Sequence, residues 1–380
     1  MKVATGLAIG SKAKPELAAL AVASAMGKAG ITSPACVLLF LTSEFAADPQ
    51  SAIKAAAKAA SCTNIIGCSA MGIFTEEDWV IDSPAAAAMV FSDNVFSQPN
   101  STEASDAEPS NTEPSNTLLL TLTAPNAIDT RWLNASALNC TQMRFGGVSG
   151  DAIGHGPFSI WQNAKGTSQG YCEFVLNNTN SAIAATHGLK IISSPRKITA
   201  SSGHDLLSMA NVPALNTLKS AWQKHAKSAE ALPYHQLMAV YAGKSAQIER
   251  GDYNVASLIT GNDENASVTL AKPMQIGSWL SWAIRDIDAA QIDIVRTASV
   301  LRRQLDAEPQ FSLLFSCLGR GPYFYNGLDQ DLVLIKALFP HLPIIGFYGN
   351  GEIAPIHGKN ELLQYSAVLG LFSDKSAIKS

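Results

Sequence analysis

Arg320 and Glu352 each stand inside a glycine-rich turn of this chain, in Gly319-Arg320-Gly321 and Gly349-Asn350-Gly351-Glu352. A guanidinium presents a rigid fork that fits a carboxylate or a phosphate. A carboxylate accepts from an amino group. Side by side the two would suit a small zwitterion, such as an amino acid. They could equally pair with each other and clamp two loops. Cys68-Ser69 is the other reactive pair. It sits where an apolar run turns, a place where nucleophiles are often held. Gly67-Cys68-Ser69-Ala70 lacks the second glycine of a nucleophile elbow, and no base can be assigned to it. The seven histidines are scattered and form no His-x-x-x-His or His-Glu-x-x-His pattern, so a zinc enzyme is not expected.

These residues fall in three similar segments. They are Ile65-Ile66-Gly67-Cys68-Ser69-Ala70-Met71-Gly72-Ile73, Phe145-Gly146-Gly147-Val148-Ser149-Gly150-Asp151-Ala152-Ile153, and Ile344-Ile345-Gly346-Phe347-Tyr348-Gly349-Asn350-Gly351-Glu352-Ile353. Each is an apolar strand that enters a turn of small residues. Each follows another apolar run. Leu38 lies 27 positions before Ile65, Leu118 lies 27 before Phe145, and Leu313 lies 31 before Ile344. That distance fits one strand–helix–strand unit, used three times. The two strands of such a unit are usually parallel, and ligands bind at their carboxyl ends. The expected lining of a shared site is therefore Cys68, Ser69, Gly147, Ser149, Asp151, Cys317, Arg320, Phe347, Gly351 and Glu352.

The elements that position these turns read as follows. Helices are expected over 15–28, 49–60, 127–137, 213–227, 287–305 and 329–339, with strands between them. The fold class is α/β: two domains of repeated β-α-β-β units, with mixed sheets covered by helices. A domain boundary is expected near Ile192-Ser193-Ser194-Pro195, giving domains 1–192 and 193–380. Residues 97–116 are rich in Ser, Asn, Pro and acid with two alanines as the only apolar residues, so they are expected to form a disordered loop.

Composition excludes several classes. A net charge of −4 offers no bulk attraction to nucleic acid or an anionic membrane. No apolar run reaches the roughly 20 residues that span a bilayer. No Walker loop or dinucleotide-binding glycine pattern occurs. The six cysteines form no Cys-x-x-Cys pair, and a cytoplasmic chain without a disulfide framework is expected.

The motifs resemble those of the FIST family (F-box and intracellular signal transduction) in its two-domain bacterial form. Ile66-Gly67-Cys68-Ser69-Ala70-Met71-Gly72 and Phe145-Gly146-Gly147-Val148-Ser149-Gly150-Asp151 resemble the amino-terminal domain. Phe315-Ser316-Cys317-Leu318-Gly319-Arg320-Gly321 and 346–355 resemble the carboxy-terminal one. Weaker likenesses lie at 198–204, 213–215 and 250–253. The resemblance implies a cytoplasmic sensory module that binds a small ligand, amino acids among them, and signals through a separate protein such as a histidine kinase. For some members it implies haem-based nitric-oxide sensing. In that case His187, after an apolar strand, would be the first axial candidate and His155 the second. A Cys68-dependent enzyme is the remaining alternative.

Overall fold

The computed structural model describes residues 1–99, 117–129, 133, 142–150, 156–226 and 231–375. The chain forms two compact bodies. The first comprises Met1–Thr186 with Ile294–Ser380, and the second His187–Asp293. The break at 186/187 falls close to the boundary expected near 192. The return at 293/294 has no counterpart in the sequential division into 1–192 and 193–380. It lies inside a continuous amphipathic helix, where composition gives no sign of it.

In the first body the chain runs β1 (Val3–Ile9), α1 (Glu16–Ala29), β2 (Cys36–Thr42), α2 (Pro49–Ala60), β3 (Ile65–Ala70), β4 (Gly72–Thr75), β5 (Trp79–Ile81) and β6 (Ala85–Phe91). There follow β7 (Phe96–Ser97), β8 (Thr117–Thr123), β9 (Gln142–Val148), β10 (Ile160–Gln162), β11 (Lys165–Gly166), β12 (Tyr171–Leu176) and β13 (Thr179–Thr186). The second body supplies β14 (Leu189–Ile191), β15 (Arg196–Ser202), β16 (Asp205–Met209), β17 (Val212–Pro213), α3 (Ala214–Ala226), β18 (Leu237–Ala242), α4 (Ser245–Glu249), β19 (Asn254–Asn262), β20 (Ser267–Leu270) and β21 (Trp279–Arg285). Helix α5 (Ile287–Gln304) carries the chain back. The first body then ends with β22 (Phe311–Cys317), α6 (Gln330–Leu338), β23 (Ile344–Gly349), β24 (Glu352–Ile356), β25 (Lys359–Leu363) and β26 (Ala367–Asp374).

Local chemistry explains the helices that frame the turns. Asp48 caps α2 by accepting from the Ser51 N–H at 3.1 Å, and Pro49 pre-sets the first turn. Asp329 caps α6 in the same way, accepting from the Leu332 N–H at 3.0 Å. Strands β2, β3, β6, β22 and β23 are buried along their whole length, which is why they read as unbroken apolar runs rather than as alternations.

Three mixed sheets make up the first body, and they share one plan. Their strand orders are β1-β6-β2-β3-β10-β11, β7-β12-β8-β9-β24-β25 and β13-β26-β22-β23-β4-β5. Each holds one parallel pair at its centre: β2 with β3, β8 with β9, and β22 with β23. Each parallel pair is flanked by a return strand antiparallel to its first member: β6, β12 and β26. The hairpin that follows each parallel pair leaves its own sheet. Hairpin β4–β5 joins β23, β10–β11 joins β3, and β24–β25 joins β9. The β-α-β-β segments expected from spacing are thus not self-contained units, because two strands of each complete a neighbour's sheet. Most of the crossover between β8 and β9, expected as a helix over 127–137, lies outside the described residues. So does nearly all of the loop expected to be disordered.

One apolar cluster lies between the three sheets, built around Phe40, Leu122, Phe145, Phe315, Phe347 and Phe372. The outer face of the first sheet is covered by α1 and α2, and that of the third by α5 from Ile294 onward and α6. The register carries a glycine at one recurring position: Gly67 opposite Leu39, Gly146 opposite Thr121, and Gly346 opposite Leu314. A Cβ there would stand 1.7, 1.9 and 1.9 Å from the facing carbonyl oxygen. Gly146, not Gly147, is therefore the second copy's equivalent residue.

The second body does not follow the repeated-unit expectation. Strands β21, β15, β16, β20, β19 and β18 pair in sequence, and β18 pairs back onto β21, closing a six-stranded antiparallel barrel. Helix α3 packs Leu215, Leu218 and Trp222 against Leu237, Leu280 and Trp282. The Trp282 indole N–H donates to Thr217 Oγ1 at 2.9 Å, which satisfies the one polar atom of that buried ring. Closure removes sheet edges, which a chain of short strands would otherwise expose. Among the described residues no helix is long and apolar enough to cross a membrane.

Candidate functional site

The carboxyl ends of the three parallel pairs meet in the first body. The Gly150 N–H donates to Ser69 O at 3.1 Å, and the Asn350 N–H to Val148 O at 3.1 Å. The Asn350 side-chain amide donates to Ser149 O at 2.9 Å. The Val148 N–H donates to Gly351 O at 2.9 Å. Tyr348 pairs with Gly72 in the ladder. Backbone approach is close enough that a Cβ on Gly150 would lie 2.1 Å from Met71 N, so only glycine fits there.

Alternation along the strands sorts the expected residues by face. Cys68 and Phe347 point into the central cluster; Tyr348 belongs to the outer one. Phe347 lies edge-on to Phe40 and Phe315 at centroid distances of 5.0 and 5.2 Å. A Cβ on Gly147 would meet the Phe347 ring at 2.6 Å. Ser149 Oγ donates to Ser159 Oγ at 3.0 Å. Ser69 is 3% exposed, and its Oγ has no hydrogen-bond partner among the described residues. Cys317 is 8% exposed and its N–H donates to Ser366 O at 3.0 Å. Asp151 and His155 lie outside the described residues.

Arg320 is 1% exposed and its nitrogens are held by the protein. Nε donates to Asp331 Oδ2 at 2.9 Å and one terminal nitrogen to Asp331 Oδ1 at 3.1 Å. The other donates to Thr186 O at 3.2 Å. Tyr325 Oη donates to Asp331 Oδ1 at 2.7 Å, and Tyr348 Oη donates to Asp329 Oδ2. Burial and the neighbouring Asp331 carboxylate push Asp329 up to about 6. Tyr348 and Tyr325 are raised, chiefly by burial.

Glu352 stands beside this network and is fully buried. Ser366 Oγ donates to Glu352 Oε2 at 2.6 Å. Oε1 has no hydrogen-bond partner among the described residues. Burial raises its pKa well above the carboxylate range, against the pull of the Ser366 hydrogen bonds and the Arg320 charge. The Arg320 guanidinium donates to Asp331, and its charge also acts on the buried carboxyl groups of Asp329 and Glu352. Asp329, Asp331, Tyr325 and Ser366 were not marked by the sequence reading. The available signal was Asp329-Gln330-Asp331 at a helix start, which reads as ordinary capping.

Both halves of the site lie inside matched family models. A FIST N domain matches 35–211 and a FIST C domain matches 214–355. The chain belongs to the FIST family. Within this FIST chain the FIST N match carries Cys68, Ser69, Gly147 and Ser149, and the FIST C match carries Arg320, Asp329, Asp331, Tyr348 and Glu352. The junction between the two FIST matches, at 211–214, lies inside the second body. Among similar proteins are uncharacterized proteins of Mycobacterium bovis and Mycobacterium tuberculosis, each 25% identical over 231 residues, covering 60% of this chain and 60% of theirs. A second Mycobacterium tuberculosis protein, also uncharacterized, is 24% identical over the same share of each. The FIST chain thus matches 60% of the length of these relatives.

The alternatives can be weighed on geometry. Cys68 is fully buried, and burial raises its thiol well above the usual range with Cys172 beside it. A nucleophile needs the reverse shift. In the folded FIST chain Cys68 is expected to resist alkylation at neutral pH and to react at the rate of global unfolding, as followed by mass spectrometry. Fast labelling of the native protein would restore the enzyme reading. For haem, His187 lies in an acid-bearing turn. Its N–H and that of Gly188 both donate to Asp293 Oδ2, at 3.0 and 3.3 Å, and the Asp286 N–H donates to Gly188 O. These bonds fix the backbone of the turn to the start of α5. Among the described residues no three His, Cys, Asp or Glu side chains group to hold a metal ion.

Proposed function

We propose that the protein is a small-ligand-binding sensory module of signal transduction, acting through a separate signalling protein and without turnover. The reading rests on Glu352, a fully buried carboxylate with one oxygen on Ser366 and the other without a partner among the described residues. A buried acceptor left open costs free energy unless a donor fills it. An ammonium group of the ligand supplies that donor, and its charge returns the Glu352 carboxyl to the ionised form on binding. Because Arg320 is engaged by Asp331, the ligand is recognised at its donor end rather than as a zwitterion held at both ends. Family membership supports the sensory role.

The test is calorimetry of a panel of amino acids and simple amines on the wild type, Glu352→Gln and Ser366→Ala. A charge-assisted hydrogen bond is worth about 1.5–3 kcal/mol, so Glu352→Gln is expected to weaken binding about tenfold to a hundredfold. Unchanged affinity in Glu352→Gln would remove the ligand from this site.

A further inference from the structure

Three buried carboxyl groups share the neighbourhood of Arg320, and they are held unequally. Asp331 accepts both prongs of the Arg320 fork and the Tyr325 hydroxyl. Asp329 accepts the Tyr348 hydroxyl and the Leu332 N–H. Both stand at the N-terminal end of α6, where the helix dipole favours an anion. Glu352 lies in a strand, gains no dipole, and has Ser366 alone at one oxygen. The elements packed around it bring no second buried cation. β13 has no charged residue, and β9 turns its Arg144 to Glu173. β22 ends in the Cys317 thiol. β25 sets Glu361 on the same face, two positions from the Leu363 opposite Glu352, and Lys359 at its exposed outer end. Of the three carboxyl groups, Glu352 is therefore the one least able to carry a charge.

We infer that Glu352 holds a proton in the empty site and gives it up when an amine binds, so that protons and ligand compete for one carboxylate and the sensor reads the amine against pH. The inference rests on the ammonium recognition proposed above. The exchange balances. An alkylammonium ion from solution meets the neutral carboxyl, whose O–H bond breaks. The carboxylate keeps the electron pair and accepts from the ammonium, and one proton leaves to solvent. Entry as the neutral amine, followed by transfer of the Glu352 proton to it, gives the same ions and the same net release. The direction of the pH dependence follows. Burial raises the free carboxyl well above its ordinary range, and the ligand charge lowers it again. Between those two values, while the amine is charged, each unit of acidification weakens binding about tenfold, because one proton is released per ligand bound. Above the raised value the dependence disappears.

Two measurements on the full chain test it. Infrared spectroscopy of the ligand-free protein at neutral pH reads the C=O stretch of a protonated carboxyl group. The wild type should carry one such band that Glu352→Gln lacks and Asp329→Asn keeps. Calorimetry with ethylammonium, in two buffers of different ionisation enthalpy, should show about one proton released per ligand and an affinity that falls about tenfold per pH unit on acidification. Ser366→Ala removes the side-chain donor on the carboxylate. It should move the pH range of the coupling upward, and it serves if Glu352→Gln fails to fold. Absence of the band from the wild type, its persistence in Glu352→Gln, or an unmoved range in folded Ser366→Ala overturns the assignment and leaves ammonium recognition standing. So does ethylammonium binding without proton release. Ethylammonium that fails to bind at any pH overturns the ammonium reading itself, and the coupling with it.

Discussion

Arg320→Ala is expected to destabilise the first body by about 3–5 kcal/mol, the cost of leaving a buried carboxylate without its counter-charge. Asp331 is 1% exposed and receives two of the Arg320 nitrogens. It also shares its surroundings with Asp329, already raised by burial and by Asp331 itself. With the guanidinium gone, Asp331 must take up a proton or admit water. Either route loosens the turn before α6. Most domains are stable by only about 5–15 kcal/mol, so the loss should show directly as a lower urea midpoint. Arg320→Lys should recover part of it, because the charge returns but the bidentate fork does not. Replacing both partners with apolar residues of similar size should recover more. An Arg320→Ala protein with an unchanged midpoint and weakened ligand binding would return Arg320 to the ligand.

Gly67→Ala, Gly146→Ala and Gly346→Ala should each cost more than about 4 kcal/mol, at the rare end of single substitutions. The added Cβ would sit within 2 Å of a backbone carbonyl oxygen of the paired strand, and backbone cannot rotate away as a side chain can. The parallel pair would have to part. Loss of soluble protein, or a collapse of the thermal transition, is the readout. Gly27→Ala in α1 is the control: nothing lies within 4 Å of its added Cβ. It should stabilise by roughly 0.5–1 kcal/mol through helix propensity. Tolerance at one of the three strand positions would mean that their shared register has no energetic counterpart.

Much of this was legible in the sequence because the signals are local. Buried parallel strands read as apolar runs such as Cys36–Thr42 and Phe311–Cys317, and glycine marks where strands approach. The turns expected to meet do touch, through Gly150, Ser69, Asn350 and Val148. What escaped was pairing over distance. Nothing in Gly72–Thr75 says that its partner is Ile345–Tyr348, because a short strand carries no address. The one-residue shift at Gly146 escaped because Gly146-Gly147 offers two candidates, and only the facing carbonyl of Thr121 chooses. Arg320 looked like a ligand fork because its partner lies 11 residues on, at the start of a helix rather than in a turn. The barrel escaped for the same reason: the strands that close it, Leu237–Ala242 and Trp279–Arg285, pair over distance, and neither run names the other.

The exchange of hairpins has a consequence for how such a chain is made. Hairpin β4–β5 is synthesised early, yet its sheet partner β23 comes more than 250 residues later; the Glu76 carboxylate that accepts from the Ile344 N–H does so across 268 positions. Until then β4 has an open edge, and so does β9, which waits for β24. Open edges recruit other chains, and long-range closure is slow. A fragment ending between the two FIST matches would keep both edges for good. The FIST N segment alone is therefore a sequence module but not an assembly unit: during translation the growing chain must be kept from its neighbours until its last strands emerge.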